Sequence, residues 1–391
     1  MKKYTLIYIA AILLGSLHVY SQSAFCEIIG SAIGNDREIL SQQAASEAAI
    51  SFNDIDGPSV EFEHLWPTST RFSDVKWSLS VVQDFDWPGL YSARGKVSSL
   101  ERENAALVLL AIKADKALAV KQVIIDIINS HRRHELYSAV ARNIAKVDSL
   151  IRIAFDKGEA TALDIWKMKL AVLENEYSIA SAQSDIRALE GSLAATGVQF
   201  INGEAEFWHD YPLQPLINPA DEDPQSLAQA IMDNSAALGA ARLKATKLEA
   251  FPGFSAGYVH AFEEDTHFNG LRVGIRLPSF SQNKKNRAAR LEAEAATFAS
   301  SYEFDKQRAE MAATYEEALT LSRALESYRT LTGDESYLQL LDKSFKAGQI
   351  TVIDYLNEIN LFISARLGFL DLEYRYNLAL ARLNRFRSLD F

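Results

Sequence analysis

The phrase that begins at Phe155, "FDKGEATALDIW", returns 190 residues later as "FKAGQITVIDYL", from Phe345. Phe155 matches Phe345, Gly158 matches Gly348, Thr161 matches Thr351 and Asp164 matches Asp354. Each copy follows a tract without helix breakers: neither proline nor glycine occurs from Lys96 to Lys157, or from Ser279 to Thr332. These tracts are rich in Ala, Leu, Glu, Lys and Arg, which are strong helix formers. At 1.5 Å per residue, 89–155 predicts a rod of ~100 Å and 281–345 a second of about the same length. Rods of that length belong to coiled coils or helical arrays, and alanines such as Ala288, Ala289, Ala293, Ala295, Ala296 and Ala299 suit close helix approach.

All nine prolines fall in three short zones around the rods. Each rod is preceded by period-two sequence. "SVEFEHLW" alternates Val60, Phe62 and Trp66 with Ser59, Glu61 and Glu63, and "KWSLSV" alternates Trp77, Leu79 and Val81 with Lys76, Ser78 and Ser80. In the second half "GFSAGYVHAF" precedes "GLRVGIRLP", where Leu271, Val273, Ile275 and Leu277 oppose Arg272, Gly274 and Arg276. Such alternation predicts two hairpins, about 59–85 and 254–277. Trp87 and Pro88 in "DFDWPG" and Pro278 in "IRLPSF" mark the junctions into the rods, Pro88 and Pro278 again 190 residues apart.

The chain therefore reads as a duplication. Repeat one covers 22–197 (a helix at about 36–53, hairpin, rod 89–155, turn, return helix 162–196). Repeat two covers 225–391 (a helix at about 225–250, hairpin, rod 281–345, turn, return helix 353–389). Between them lies an irregular, proline-rich segment, 198–224. The glycine phrase is the turn at the far end of each rod: glycine ends one helix in the left-handed conformation, Thr161 and Thr351 N-cap the next, and Asp164 and Asp354 stand three residues on, as in a capping box.

Residues 1–21 read as a secretory signal: Lys2 and Lys3, the apolar run "YTLIYIAAILLGSL", and small-residue cleavage near Ser21. Mean hydropathy of −0.08 excludes a multi-helix membrane protein. Removing the two signal lysines makes the net charge of −11 more negative by two, which argues against a nucleic-acid partner. The lone cysteine, Cys26, forms no disulfide framework, and "SAFC" is a poor lipidation signal with Phe25 beside it. Phosphate-cradling glycine loops, nucleophile elbows and zinc-protease motifs are all missing, so no enzyme and no cofactor is expected.

Four strands per chain cannot close a barrel, and an open sheet leaves unpaired edges. An apolar face opposed to a face of Glu, Arg, Ser and Gly fits a transmembrane barrel wall, with copies in a ring; three copies make twelve strands. The same pattern would also suit a soluble β-layer capping a periplasmic coiled coil.

The order of these parts resembles the TolC-like outer-membrane efflux family. The resemblance rests on "QDFDWPG", on "GLRVGIRLPSFSQNKKNRAARLEAEAA" and on the two "F..G..T..D" turns, and covers nearly the whole mature chain. It implies a mainly α chain with a small β part, a long helical barrel joined to a transmembrane β-barrel, and a homotrimer in the outer membrane reaching into the periplasm. It further implies a passive exit duct that meets a periplasmic adaptor (membrane fusion) protein and an inner-membrane pump of the resistance–nodulation–division type. Gly158, Thr161, Asp164, Gly348, Thr351 and Asp354 map to the periplasmic tips where the adaptor docks. Asp354, Asn357 and Glu358 map to a constriction, less acidic than the family's strongest because Asn357 replaces a carboxylate. A non-channel periplasmic coiled-coil structural or adaptor protein is the alternative.

No resident metal is expected. His131 and His134 sit at i, i+3 beside two arginines on the first rod, and "HAFEEDTHF", with His260, Glu263, Glu264, Asp265 and His267, reads as a loop of loose cation attraction.

Overall fold

The computed structural model describes residues 25–34, 36–48, 50, 56–66, 76–195, 210–211, 214–216, 218, 227–263, 266–278, 280–332 and 336–386. The signal at 1–21 and most of 198–224 lie outside the described residues. Helix α1 covers 25–34. It is followed by α2 (Arg37–Ala48), β1 (Ser59–Leu65), β2 (Lys76–Phe85), α3 (Pro88–Asp156), α4 (Ala162–Ala195), α5 (Leu227–Leu248), β3 (Gly253–Glu263), β4 (Thr266–Arg276), α6 (Gln282–Thr332), α7 (Ser336–Lys346) and α8 (Val352–Leu383).

The first rod is one helix: α3 has 69 residues and so runs ~100 Å. The second was expected unbroken over 281–345 and is instead described as two helices, α6 ending at Thr332 and α7 starting at Ser336. Gly333, next to Thr332, is a residue that weakens a helix by about 1 kcal/mol against alanine. Helix α1 was also unforeseen, since its sequence follows the signal directly and carries two glycines.

The chain divides into two units. One contains the described residues of 40–110 and 223–307. Its four strands form a single antiparallel sheet in the order β1-β2-β3-β4, so the two hairpins join through β2 and β3. On its helical side, Val97 and Leu100 of α3 pack on Leu238 of α5 with Ala241 and Ala245. Asn234 donates from Nδ2 to the Leu100 carbonyl at 3.2 Å, and Arg242 pairs with Glu101 at 2.8 Å. At Gly239 of α5 a Cβ would stand 3.2 Å from the Ala293 Cα, so α5 and α6 approach through small residues.

The other unit contains the described residues of 1–39, 111–222 and 308–391, with two apolar cores. In the first, Val120, Ile124, Ile127 and Ile128 of α3 meet Phe25 and Ile29 of α1, Leu193 of α4 and Ala381 of α8. Asp36 N-caps α2, accepting from the Glu38 and Ile39 amides, and pairs with Lys116 at 2.5 Å. The second core runs along Leu136, Val140, Ile144, Val147 and Ile151, spaced by three and four residues on one face of α3, against Met168, Leu338, Leu341, Tyr355 and Ile359. Arg132 joins Glu373 of α8 to Asp210 and lies over the Tyr211 ring at 4.7 Å, which holds that part of 198–224 in place.

Candidate functional site

Strand register sorts the sheet into two unlike faces. Val60 pairs with Val81, Val81 with Tyr258, and Tyr258 with Leu271; Phe62, Leu79, Val273 and Ile275 share that face. All are exposed, Leu271 at 86% and Val273 at 80%. Water would leave this face as a broad apolar patch, and soluble monomers rarely carry one.

The opposite face holds Glu61, Glu63, Ser78, Ser80, Ser255, Arg272 and Arg276. Arg272 on β4 donates to Ser80 on β2 at 3.2 Å and to Glu61 on β1 at 2.8 Å. In a flat sheet β1 and β4 are three spacings apart, ~14 Å, and Glu61 stands two residues out of line with Arg272. The pair could then meet only with both side chains stretched flat along the sheet rather than standing away from it. The sheet is therefore curved, with the charged face concave and the apolar face convex.

Glycines make room for this. Gly257 lies opposite Arg272, and a Cβ there would stand 2.5 Å from the Val81 carbonyl oxygen. At Gly253 a Cβ would crowd the Arg276 guanidinium. That guanidinium pairs with Asp86, 190 residues earlier, so equivalent positions of the two repeats bind each other. Asp86 also pairs with Arg94 at 2.8 Å.

Of the junction residues, Trp87 stacks on Phe251 at 5.2 Å and Pro88 is the first residue of α3, where its missing N–H costs nothing. Pro278 lies between β4 and α6.

The two turns that follow α3 and α7 match almost bond for bond. Gly158 and Gly348 have φ of 76° and 70°. Glu159 N–H donates to the Ala154 carbonyl and Gly158 N–H to Phe155; Gln349 to Ser344 and Gly348 to Phe345 repeat the pattern. These are Schellman closures. Thr161 Oγ1 accepts from Asp164 N at 3.2 Å while Asp164 Oδ2 accepts from Thr161 N at 3.0 Å; Thr351 and Asp354 do the same at 3.2 and 3.1 Å. Hydrogen bonds from the threonine hydroxyl, then from its amide, hold both aspartates below the usual carboxylate range.

A depressed carboxylate pKa means stability that is present above the unfolded value of about 3.9 and lost as pH falls through the lower folded value. Both turns are thus expected to loosen only in strong acid. Thr351→Ala removes the cap at any pH, at a cost of about 1 kcal/mol. Amide exchange at Val352–Tyr355 checks this: about fivefold faster in the variant at pH 7, with Thr161 and its turn unchanged.

Asp354 and Asn357 share one exposed face of α8. Glu358, one turn after Asp354, accepts from the Tyr337 hydroxyl, and Tyr337 stacks on Phe362 at 5.7 Å. Beside the second turn, Asp342 of α7 accepts from Tyr355 Oη at 3.1 Å and stands 3.9 Å from Lys146 of α3.

One feature went unread in the sequence. Leu163, Trp166, Leu170, Leu173 and Tyr177 follow a three-four spacing on α4, and all five are exposed, none below 61%. Such a stripe is the seam of a coiled coil. Its spacing was available; that no helix among the described residues covers it was not. Among the described residues no helix is long and apolar enough to cross a membrane, and no group of three or more His, Cys, Asp or Glu is placed to hold a metal ion.

No protein-family model matches the chain, and no curated protein matches it. Solved structures do. A membrane protein from Pseudomonas aeruginosa superposes with a TM-score of 0.77 at 15% identity, over 93% of this chain and 89% of that one. The outer membrane protein VceC from Vibrio cholerae gives 0.75 at 13% identity, over 94% and 97%. The open state of the Neisseria gonorrhoeae MtrE outer membrane channel gives 0.71 at 14% identity, over 93% and 88%.

Proposed function

We propose that this chain, which has the fold of the TolC-like outer-membrane channels, is one protomer of a passive exit duct in the outer membrane of an efflux or secretion machine. The observation that carries the reading is the two-faced sheet. Its convex face is exposed and apolar through its middle, with polar residues such as His260, His267 and Asn269 towards one end. Its concave face is charged, and among the described residues β1 and β4 each pair on one side only. In lipid every backbone polar group needs a partner, so an open sheet is excluded and the edges must meet those of other copies. Three copies give twelve strands, enough for a water-filled lumen.

Aromatic rings mark both ends of the convex face, with Trp77 and Phe262 at one end and Phe85, Trp87 and Phe254 at the other. Eight residues of a tilted strand separate them, a height of ~20 Å, close to the apolar band of outer-membrane barrels. The exposed α4 seam supports side-by-side assembly in the helical part, its occupant being a neighbouring copy.

In this reading the concave face lines the lumen and the cargo passes without chemistry. The Gly158–Asp164 and Gly348–Asp354 turns receive the adaptor, and an inner-membrane pump supplies the energy. Asp354, repeated by the assembly, sets the charge of the mouth, with Asn357 adding none. Asp354→Ala is expected to raise single-channel conductance in planar bilayers and to weaken block by divalent cations severalfold; unchanged conductance and block would remove Asp354 from the constriction.

A test of the assembly uses edge cysteines in a Cys26→Ser background: one near the middle of β1 and one near the middle of β4. Oxidation is expected to yield covalent dimers and trimers from membranes. A ladder absent at every register tried would leave the edges unjoined. The rival reading, a soluble periplasmic coiled-coil protein, leaves Val60, Phe62, Leu271, Val273 and Ile275 facing water.

A further inference from the structure

Two histidines expected in a loop stand in strands instead, His260 in β3 and His267 in β4, near the Trp77 end of the convex face. His260 and His267 are diagonal neighbours across the strand pair, and their rings stack with centroids 5.3 Å apart. His260 Nε2 and His267 Nδ1 are 3.3 Å apart. Two imidazole nitrogens bound to one tetrahedral zinc, each at about 2.05 Å, stand roughly that far from each other.

The surroundings prepare His260 for that role. Its Nδ1 lies 2.7 Å from Asn269 Oδ1, which also accepts the Tyr258 hydroxyl at 2.5 Å. A carbonyl oxygen facing Nδ1 places the proton there, so Nε2 keeps its lone pair and points it at His267. Metal-binding histidines are oriented in this way, the second ring nitrogen donating to a neighbouring oxygen. Trp77, with its ring 5.6 Å from His260, and Phe262, 5.1 Å from His267, limit the rotation of both imidazoles.

We propose that His260 and His267 form a two-histidine site for a divalent transition metal that favours imidazole, such as Zn2+ or Cu2+, with water completing the coordination. Without metal, His267 donates from Nδ1 to His260 Nε2. With metal, the His267 proton resides on Nε2, both facing nitrogens give their lone pairs to the ion, and no net proton is released. Nitrogen ligands exclude Mg2+ and Ca2+, which take oxygen. The bound ion clips β3 to β4 beside Phe262. This inference stands on the hairpin alone and does not depend on the pore reading.

The test is a Cu2+ titration of the full chain in detergent, followed by tryptophan fluorescence and by the nitrogen splitting of the copper electron paramagnetic resonance spectrum. The parent is expected to show saturable quenching at one equivalent per chain and two equatorial nitrogens, with Zn2+ competing. His260→Gln and His267→Gln each abolish the saturable quenching. Asn269→Ala weakens binding about 10- to 100-fold, as loss of an orienting partner does. Trp77→Phe removes most of the quenching while the two-nitrogen signal remains, which separates loss of the reporter from loss of the site. Quenching that survives in both histidine variants, or a parent signal with fewer than two nitrogens, overturns the proposal.

Discussion

Leu271→Arg is expected to cost the assembled protein about 2–4 kcal/mol, the penalty for a cation near the middle of the lipid face of a barrel. Leu271 sits in the middle of β4, level with Tyr258, Val81 and Val60 on the convex face. Urea unfolding of protein reconstituted in vesicles reads the change, with the trimer band after mild extraction as a second measure. The contrast is unusually wide. A leucine 86% exposed to water would accept arginine with a change within about 0.5 kcal/mol, so a neutral outcome places this face in solvent.

Gly257→Val is the second large effect, and it acts from the other face. The new Cβ would stand 2.5 Å from the Val81 carbonyl oxygen and 3.0 Å from the Val82 Cα, both backbone atoms that cannot rotate away. The sheet must shift between β2 and β3, and a branched side chain also blocks the path of Arg272 towards Ser80 and Glu61. Overpacking of this kind costs about 1–3 kcal/mol or more. The lost ion pair is the minor part: Arg272 and Glu61 side chains are 53% and 57% exposed, and pairs so wet contribute ~1 kcal/mol at most. Two controls apportion the effect. Arg272→Ala should be mild, and Gly270→Ala milder still, because a Cβ there meets only a Val259 methyl at 3.4 Å. A fall in folded yield for Gly257→Val with both controls near the parent supports the close-approach account; equal losses for all three contradict it.

What could be read in the sequence was mostly local. The tract from Lys96 to Lys157 makes most of α3 legible, because it holds no residue that breaks a helix and many that favour one. The turns were legible down to the hydrogen bond, since the Schellman closure needs only Gly158 or Gly348 and the capping box needs only Thr and Asp three apart. Alternation likewise separated the faces of each strand. Pairing between hairpins was not local: Val81 meets Tyr258 across nearly half the chain, and no periodicity within either hairpin encodes that register. The Arg272–Glu61 pair, the concavity it implies and the meeting of Asp86 with Arg276 all follow from that register and so were out of reach. His260 and His267 were visible as loop residues, but only strand pairing brings their nitrogens together. Glu358, one helical turn after Asp354, entered the constriction set through the family resemblance; that Tyr337 of the preceding helix donates to it could not be read from its spacing. The α4 seam shows the opposite case, a legible spacing whose meaning depends on what covers it.

The proposed duct requires separate copies to join their sheet edges into one closed, water-filled wall in lipid. Purified trimer added to a planar bilayer measures this directly, through discrete current steps of uniform size at modest voltage. Such steps are expected for the parent protein, and their loss, at equal protein dose, for Leu271→Arg. Bilayers that stay silent with correctly extracted parent trimer, or steps that Leu271→Arg leaves unchanged, would contradict it.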